Sequence, residues 1–319
     1  MGADPAALIA EAQLDPALFD DPENTIAFAE MGRLLEFCAA RTACPHLGLL
    51  IGAHGGLHVL GAVGKLAACS KDLGSALRNI VLYLHLHDRG AVPTLSVGGA
   101  RAAFAYVIYE PDSSGTEIIY DGALLIACHI LKDLVGPDWE PVEVCLTHPR
   151  PVAIGPYRES FRTRLRFGAE QNAVVFDAGW LSHPLGGSDS SAQECLMREI
   201  DRLEAAGAGS LPAQLRRILY HLFISGSVHG EASLESVSSL FAIHRRTLNR
   251  RLQAEGTTFK TLIESARYDI ARQLLRDTQL TISEISINLA YADVASFCRA
   301  FHRWSGSSPA AWRKGLSLA

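Results

Sequence analysis

Apolar positions recur at helical spacing through residues 4–89. In ENTIAFAEMGRLLEFCAARTA, Ile26, Phe28, Met31, Leu34, Leu35 and Cys38 lie near one face of a 3.6-residue period, with Asn24 or Thr25 placed to cap. SKDLGSALRNIVLYLHLHDRG repeats the pattern and is expected to end at Gly90. TLSVGGARAAFAYVIYE then breaks the period: 94–97 and 102–109 are rich in β-branched and aromatic residues and predict two strands. TEIIYDGALLIACHILKDLVG predicts a helix stopped by Gly136 and Pro137, PVEVCLTH and NAVVFD predict further strands, and a long helix is expected over 190–205. This half reads as an α+β domain.

AAGAGSLP, 205–212, is small, uncharged and flexible in composition. It divides the chain into an N-terminal domain over 1–205, a linker over 206–212 and a C-terminal domain over 213–319. Beyond it no strand pattern survives. LPAQLRRILYHLFISG, SLESVSSLFAI with Ser233 as cap, and HRRTLNRRLQAEG stopped by Gly256 predict three helices. TTFKTLIESARYDIARQLLRDT predicts a long fourth, and Thr281 with Glu284 forms a capping box that opens a fifth, ISEISINLAY. DVASFCRAFHRWSG and SPAAWRKG, with Pro309 near its start, complete an all-α domain.

The third and sixth of these helices repeat. Leu248 aligns with Phe297, Arg250 with Arg299 and Leu252 with Phe301, and each copy is closed by a glycine, Gly256 or Gly306. Each is preceded by a short helix and a tight turn, so the unit is helix-turn-helix, present twice. In the first copy Leu248 and Leu252 mark a buried edge, while Arg246, Asn249, Arg250 and Gln253 occupy the opposite arc and Arg245 heads the segment; no acid occurs before Glu255. Arginine, Asn and Gln are the side chains that make bidentate contacts to guanine and adenine edges. Alone, the segment fits a solvated face, a nucleic-acid reader or a protein-binding surface. In the second copy Phe297, Ala300, Phe301 and Trp304 share one edge, with Ala295, Arg299, His302 and Arg303 opposite. The long helix between the copies spans roughly 28 Å at 1.5 Å per residue, close to the ~34 Å turn of B-DNA. A merely solvated face would have to arise twice at a DNA-like separation, which favours recognition of successive major-groove segments.

Charge supports that division. The whole chain carries −5 with a pI near 6.2, but from Leu211 onward there are 14 Lys+Arg and 8 Asp+Glu, against 15 and 26 before it. A +6 domain is therefore joined to a −11 domain, the footprint of a nucleic-acid module attached to something else. With 48% hydrophobic residues and mean hydropathy of +0.13, both can bury a core. The seven cysteines are scattered without CxxC spacing and read as reduced. The acidic first residues do not resemble a secretory signal and no apolar run reaches membrane-spanning length, so a soluble, cytoplasmic protein with no membrane partner is expected.

Residues 211–314 resemble the DNA-binding domain of AraC/XylS-type transcription regulators. The resemblance is carried by RTLNRRLQAEGTTF and by SFCRAFHRWSGSSPAAWR, where Phe297, Arg299, Phe301, Gly306, Pro309 and Arg313 fall at family spacing. It implies seven helices in two helix-turn-helix units bridged by a long helix. It also implies base-reading positions at Arg246, Asn249 and Arg250 in the first unit and at Ala295, Ser296 and Arg299 in the second. Ser296 lies nearer the side of its helix than the opposite arc. His244 stands where the family caps with Ser, Ala290 where it turns on Gly, and Ala295 where a polar residue is common, so the second unit is expected to position more than it specifies. Residues 4 to about 205 resemble the effector domain named after arabinose binding, through WEPVEVCLTHPRP, LRFGAEQNAVVFDAGWLSHPL and the Gly-rich LGLLIGAHGGLHVLG.

The resemblance implies a ligand-responsive transcriptional activator rather than an enzyme, working as a homodimer on double-stranded operator DNA with RNA polymerase, and needing no cofactor. The alternatives are a regulator whose first domain only dimerises or binds a protein partner, and an enzyme fused to a DNA module. HGGL at 54–57 is similar to an esterase oxyanion loop, but no GxSxG supplies a nucleophile. His85 and His87 cannot share a metal on a helix, where i and i+2 diverge, and no phosphate or dinucleotide loop is present. For the effector, Glu117 and Asp121 at i,i+4 suit a cation such as an amine if a pocket opens on their helix; otherwise they are solvated carboxylates near a helix start. Phe104, Tyr106 and Tyr109 read as core or as pocket wall, with Tyr106 the candidate ligand contact.

Overall fold

The computed structural model describes residues 3–21, 24–108, 110, 113–186, 190–206, 211–224, 234 and 245–316. Five short helices come first: α1 (Pro5–Glu11), α2 (Phe28–Arg41), α3 (Leu47–Gly52), α4 (Gly61–Ala68) and α5 (Leu73–Tyr83). Asp4 and Asp72 cap α1 and α5 by accepting from the amides of Ala6 and Ser75. The helix expected to run to Gly90 stops at Tyr83 and tightens into a 3-10 turn, Leu84–Leu86, which turns the chain into the sheet. There follow β1 (Ala91–Gly98), β2 (Arg101–Ile108), α6 (Thr116–Val135), β3 (Glu143–Cys145), α7 (Gly155–Phe161), β4 (Arg164–Arg166), β5 (Ala173–Asp177) and α8 (Ser190–Ala206). The strands form one mixed sheet in the order β1-β2-β5-β3-β4, antiparallel except for the β3–β4 pair.

Helix α6 lies at the centre of this half because nearly its whole surface is apolar; Leu124 and Leu131 are fully buried in the core with Val144, Phe176 and Trp139. It packs on α3 through small residues. A Cβ at Gly48 would stand 2.0 Å from the Ile118 carbonyl oxygen, and one at Gly52 would stand 2.8 Å from that of Gly122. The Gly-rich stretch expected only by resemblance is thus the close crossing of two helices.

The C-terminal half is entirely helical where described: α9 (Leu211–Ile224), α10 (Arg245–Ala254), α11 (Phe259–Asp277), α12 (Ile282–Asn288), α13 (Val294–Ser305) and α14 (Pro309–Leu316). The helix expected over SLESVSSLFAI, with its cap Ser233, lies outside the described residues apart from Leu234, as do His244 and Tyr109. The expected linker over 206–212 is narrowed from both ends. α8 includes Ala206, and α9 opens with Leu211 and Pro212, positions where a proline lacks only an amide that the first turn leaves unpaired.

A second core joins Leu215, Leu219 and Phe223 of α9 to Leu248 and Leu252 of α10, Ile270 of α11, and Phe297 and Phe301 of α13. It includes Val92 of β1, with Val107 of β2 packed against it. The first half of β1 is therefore buried on both faces, Val92 towards α9 and Pro93 towards α6. That explains why the strand begins at Ala91 rather than at the expected 94: a strand covered on both sides shows no alternation. No described helix is long and apolar enough to cross a membrane.

Candidate nucleic-acid interface

Helix α10 is anchored by two side chains. Leu248 and Leu252 are fully buried, each contributing about 1.5–3 kcal/mol of transfer free energy, and Gly256 at φ +73° ends the helix. With that edge fixed, Arg245, Arg246, Arg250, Arg251 and Gln253 are exposed and Asn249 is half-buried. Among the described residues, no carboxylate forms an ion pair with Arg245, Arg250 or Arg251. Arg251 extends the basic face beyond the residues that the helical projection selected.

The second unit is more tightly pre-arranged. Thr281 and Glu284 form the reciprocal cap of α12, and the chain turns at Ala290, held at φ +55°. This conformation strains any residue with a Cβ. Arg267 of α11 fixes the turn by donating to the Ala290 carbonyl at 3.2 Å while its guanidinium covers the Tyr291 ring at 4.7 Å and the Phe223 ring at 5.1 Å. Phe297 and Phe301 then seat α13, with Phe301 edge-on to Trp312 of α14 at 6.0 Å.

On the outer side of α13, Asp293 accepts from the Ser296 amide at 2.6 Å and from its hydroxyl at 3.0 Å, and these bonds hold the Asp293 carboxyl below the usual range. Arg299 donates to the Ser296 hydroxyl at 2.9 Å. The Ser296 hydroxyl thus both donates and accepts within its own helix. Arg303 reaches back to Glu264 of α11 at 3.5 Å, and Ala295 is exposed. Of the positions singled out here, Arg299 is the exposed cation not paired with a carboxylate of another helix. The two faces are joined by the 19 residues of α11.

The candidate effector residues separate. Asp121 is 2% exposed; it accepts from the Tyr157 hydroxyl at 2.6 Å and stands 3.1 Å from Nε2 of His148, whose Nδ1 lies 2.8 Å from the Pro149 carbonyl. Burial alone would lower the His148 pKa, but the bond to Asp121 and its charge outweigh that and raise it. Asp121 is therefore one half of a buried ion pair. Glu117 is exposed in the first turn of α6. The i,i+4 pair does not converge on a cavity, because the stripe they share passes from the surface into the core within one turn. Tyr106 does line a cavity, between α6 and the sheet.

Residues that the sequence reading passed over join the two halves. Tyr120 of α6 donates to the Asp277 carboxylate at the end of α11 at 3.3 Å, and Gln273 one turn earlier donates to the same oxygen. Burial pushes the Asp277 pKa up to about 6. A signal existed: Phe259, Leu262, Ala266 and Ile270 form one stripe of α11, and the same stripe continues as Gln273 and Asp277. Polar residues on the buried stripe of a helix point to a polar contact from elsewhere in the chain.

Two family profiles match the chain: the arabinose-binding N-terminal domain of AraC transcription regulators over residues 2–185, and a helix-turn-helix domain over residues 237–315. The HTH-type transcriptional regulator VirS of Mycobacterium tuberculosis is 26% identical over 315 residues, covering 98% of this chain and 92% of its own. The ornithine utilization regulator of Pseudomonas aeruginosa is 25% identical over 315 residues, covering 98% and 91%. Among solved structures, the transcriptional regulator CdpR of Pseudomonas aeruginosa aligns over 97% of this chain and 96% of its own at 22% identity, with a TM-score of 0.47.

Proposed function

The chain belongs to the AraC family of transcription regulators, with an arabinose-binding-type N-terminal domain and a helix-turn-helix C-terminal region, and on that premise we propose that it activates transcription under control of a small-molecule effector. The family and the relatives named above are DNA-binding regulators, not enzymes. Arg246, Asn249, Arg250 and Gln253 of α10 read base edges, with Arg245 at the helix start on the adjoining backbone. Arg299 of α13 makes the corresponding contact one helical turn away, beside Ala295 and Ser296, and Arg303 steadies that helix against α11. The N-terminal domain binds the effector and pairs with a second copy, and the assembly engages RNA polymerase. The ornithine utilization regulator ties a relative to the use of a small molecule, which supports effector control.

The observation that carries the DNA reading is the exposed basic face of α10, on which Arg245, Arg250 and Arg251 have no carboxylate partner among the described residues, repeated more sparsely on α13 at the far end of a 19-residue helix. It is tested by measuring the full chain's affinity for its operator and for unrelated duplex across a salt series. Arg246→Ala and Arg250→Ala should each cost about 1–3 kcal/mol on the operator and little on unrelated DNA, with the salt slope nearly unchanged. Equal losses on both duplexes would make these arginines phosphate contacts.

A further inference from the structure

A cavity of about 110 Å³ lies between α6 and the β1–β2 hairpin. Its walls are apolar: Leu60, Ile80, Phe104, Leu124, Ala127 and Ile130 face it. One carboxylate, that of Asp88, opens into it, with His87 beside it. Asp88 accepts from the Gly90 amide at 2.8 Å through one oxygen and from the Tyr106 hydroxyl through the other. A carboxylate has about four acceptor sites, and with the Ala91 amide also directed at Asp88 it keeps room for one further donor. Among the described residues no Lys or Arg forms an ion pair with Asp88. A buried carboxylate without a cation is costly, and burial raises its pKa accordingly.

We propose that this cavity is the effector site and that it takes a compact amine, a short branched alkyl body with one protonated nitrogen that donates to Asp88. The proposal rests on the effector-control reading above and supplies its ligand class. Size sets the apolar part: an apolar cavity of ~150 Å³ holds benzene, so one of about 110 Å³ takes roughly four to five non-hydrogen atoms, the nitrogen being directed at Asp88. Charge sets the polar part, because an ammonium gives Asp88 the counter-ion it lacks, whereas a carboxylate or sugar would leave its own polar groups against hydrocarbon.

The site also touches the DNA-binding half. The Tyr106 hydroxyl is bonded to Asp88, and its ring meets the Tyr120 ring edge-on, with centroids 6.2 Å apart at 88°. The Tyr120 hydroxyl reaches Asp277 on α11 at 3.3 Å. An ammonium that shares the Asp88 carboxylate with the Tyr106 hydroxyl draws on the same charge and weakens that bond, and a shift of that ring bears directly on Tyr120. Occupancy is thereby read by the helix that joins the two DNA-facing units.

The test uses isobutylamine on the full chain without DNA, by calorimetry and thermal unfolding, with isobutanol and 2-methylbutane as neutral isosteres. The wild type should bind isobutylamine at least tenfold more tightly than either isostere. Asp88→Asn should weaken isobutylamine roughly ten- to a hundredfold, the worth of a charge-assisted bond, and leave 2-methylbutane unchanged. Ala127→Leu, which fills the cavity from α6, should abolish binding of all three. If Asp88→Asn fails to fold, the isostere series on the wild type and Ala127→Leu still decide. No isobutylamine binding by the wild type, equal binding of isobutylamine and 2-methylbutane, or binding that survives Ala127→Leu would each overturn the proposal. Operator affinity is measured separately with and without isobutylamine. Binding in the cavity with no change in operator affinity overturns the effector role, while absence of operator binding under any condition counts against the DNA reading instead.

Discussion

Replacing Asp277 by Asn should flatten one segment of the protein's pH–stability curve. In the folded chain the carboxyl sits between Tyr120 and Gln273 and its pKa stands at about 6, against an ordinary 3.8 when exposed. The folded state therefore keeps a proton that the unfolded chain has already released between pH 4 and 6. It binds more protons than the unfolded state in that window, so stability is highest below pH 4, falls as pH rises to about 6 and is level above. The full difference is roughly 3 kcal/mol, and between pH 7.5 and 5.5 it is roughly 1 kcal/mol. Asn has no such proton. The assay is urea unfolding of wild type and Asp277→Asn at half-unit steps from pH 4.5 to 8, reading the difference between the two curves so that other titrating groups cancel. That difference should move by roughly 1 kcal/mol in favour of the wild type from pH 7.5 to 5.5. Tyr120→Phe should retain most of the slope, because burial rather than the phenol raises the pKa. Parallel wild-type and Asn curves would refute the reasoning, since they would mean Asp277 is not buried against α6 in solution.

Ala290→Gly should stabilise the second helix-turn-helix unit: relief of a left-handed alanine is worth about 1–2 kcal/mol and the added freedom of the unfolded chain takes back about 0.4–1 kcal/mol. A lower midpoint in thermal unfolding would contradict the φ of +55°. Asp121→Asn should cost about 1.5–3 kcal/mol by removing the carboxylate that accepts from Tyr157 and supports the His148 imidazolium. Because the His148 pKa is raised in the fold, the stability that it contributes is complete below its ordinary value and is lost as pH rises through the raised one. A stability gap between wild type and variant that widens towards alkaline pH would oppose this.

What the sequence disclosed was local. The Thr281–Glu284 cap, the Phe297–Ala300–Phe301 edge and the Leu248–Leu252 edge depend on neighbours one helical turn away, so helix period alone placed the arginines of α10 on the exposed side. Two further kinds of feature stayed hidden. β4 is three residues, Arg-Leu-Arg, and becomes a strand only by pairing in parallel with β3. α7 begins at Gly155-Pro156, a pair that reads as a turn until the first-turn tolerance for proline is considered. The Asp121 ion pair joins residues 27 positions apart, and the Tyr120–Asp277 bond spans 157; no periodicity encodes either. Asp121 near a helix start looked solvated, and only the packing of α7 beside α6 shows that it is not.

Helix α11 gathers these contacts into one element. Its stripe supports the shared core of both helix-turn-helix units through Leu262, Ala266 and Ile270, and the last turn of the same stripe meets α6 through Gln273 and Asp277. A packed helix shifts as a unit, so a push at Asp277 reaches α10 and α13 together, whereas a push at either DNA-facing helix moves one. The carboxylate makes this junction weak by design of its chemistry: at neutral pH it is held ionised in a place that favours the proton, and the cost, roughly 3 kcal/mol at most, is charged against the docked arrangement alone. Reversing a docked-to-undocked ratio from 99:1 to 1:99 needs about 5.5 kcal/mol of differential affinity. On the effector control proposed above, with the effector favouring the undocked arrangement, a junction already burdened by about half of that needs correspondingly less from it. Asp277→Asn, by removing the burden, should raise the effector concentration required for half-maximal change in operator affinity, and an unchanged or lower requirement would show that docking through α11 is not what the effector opposes.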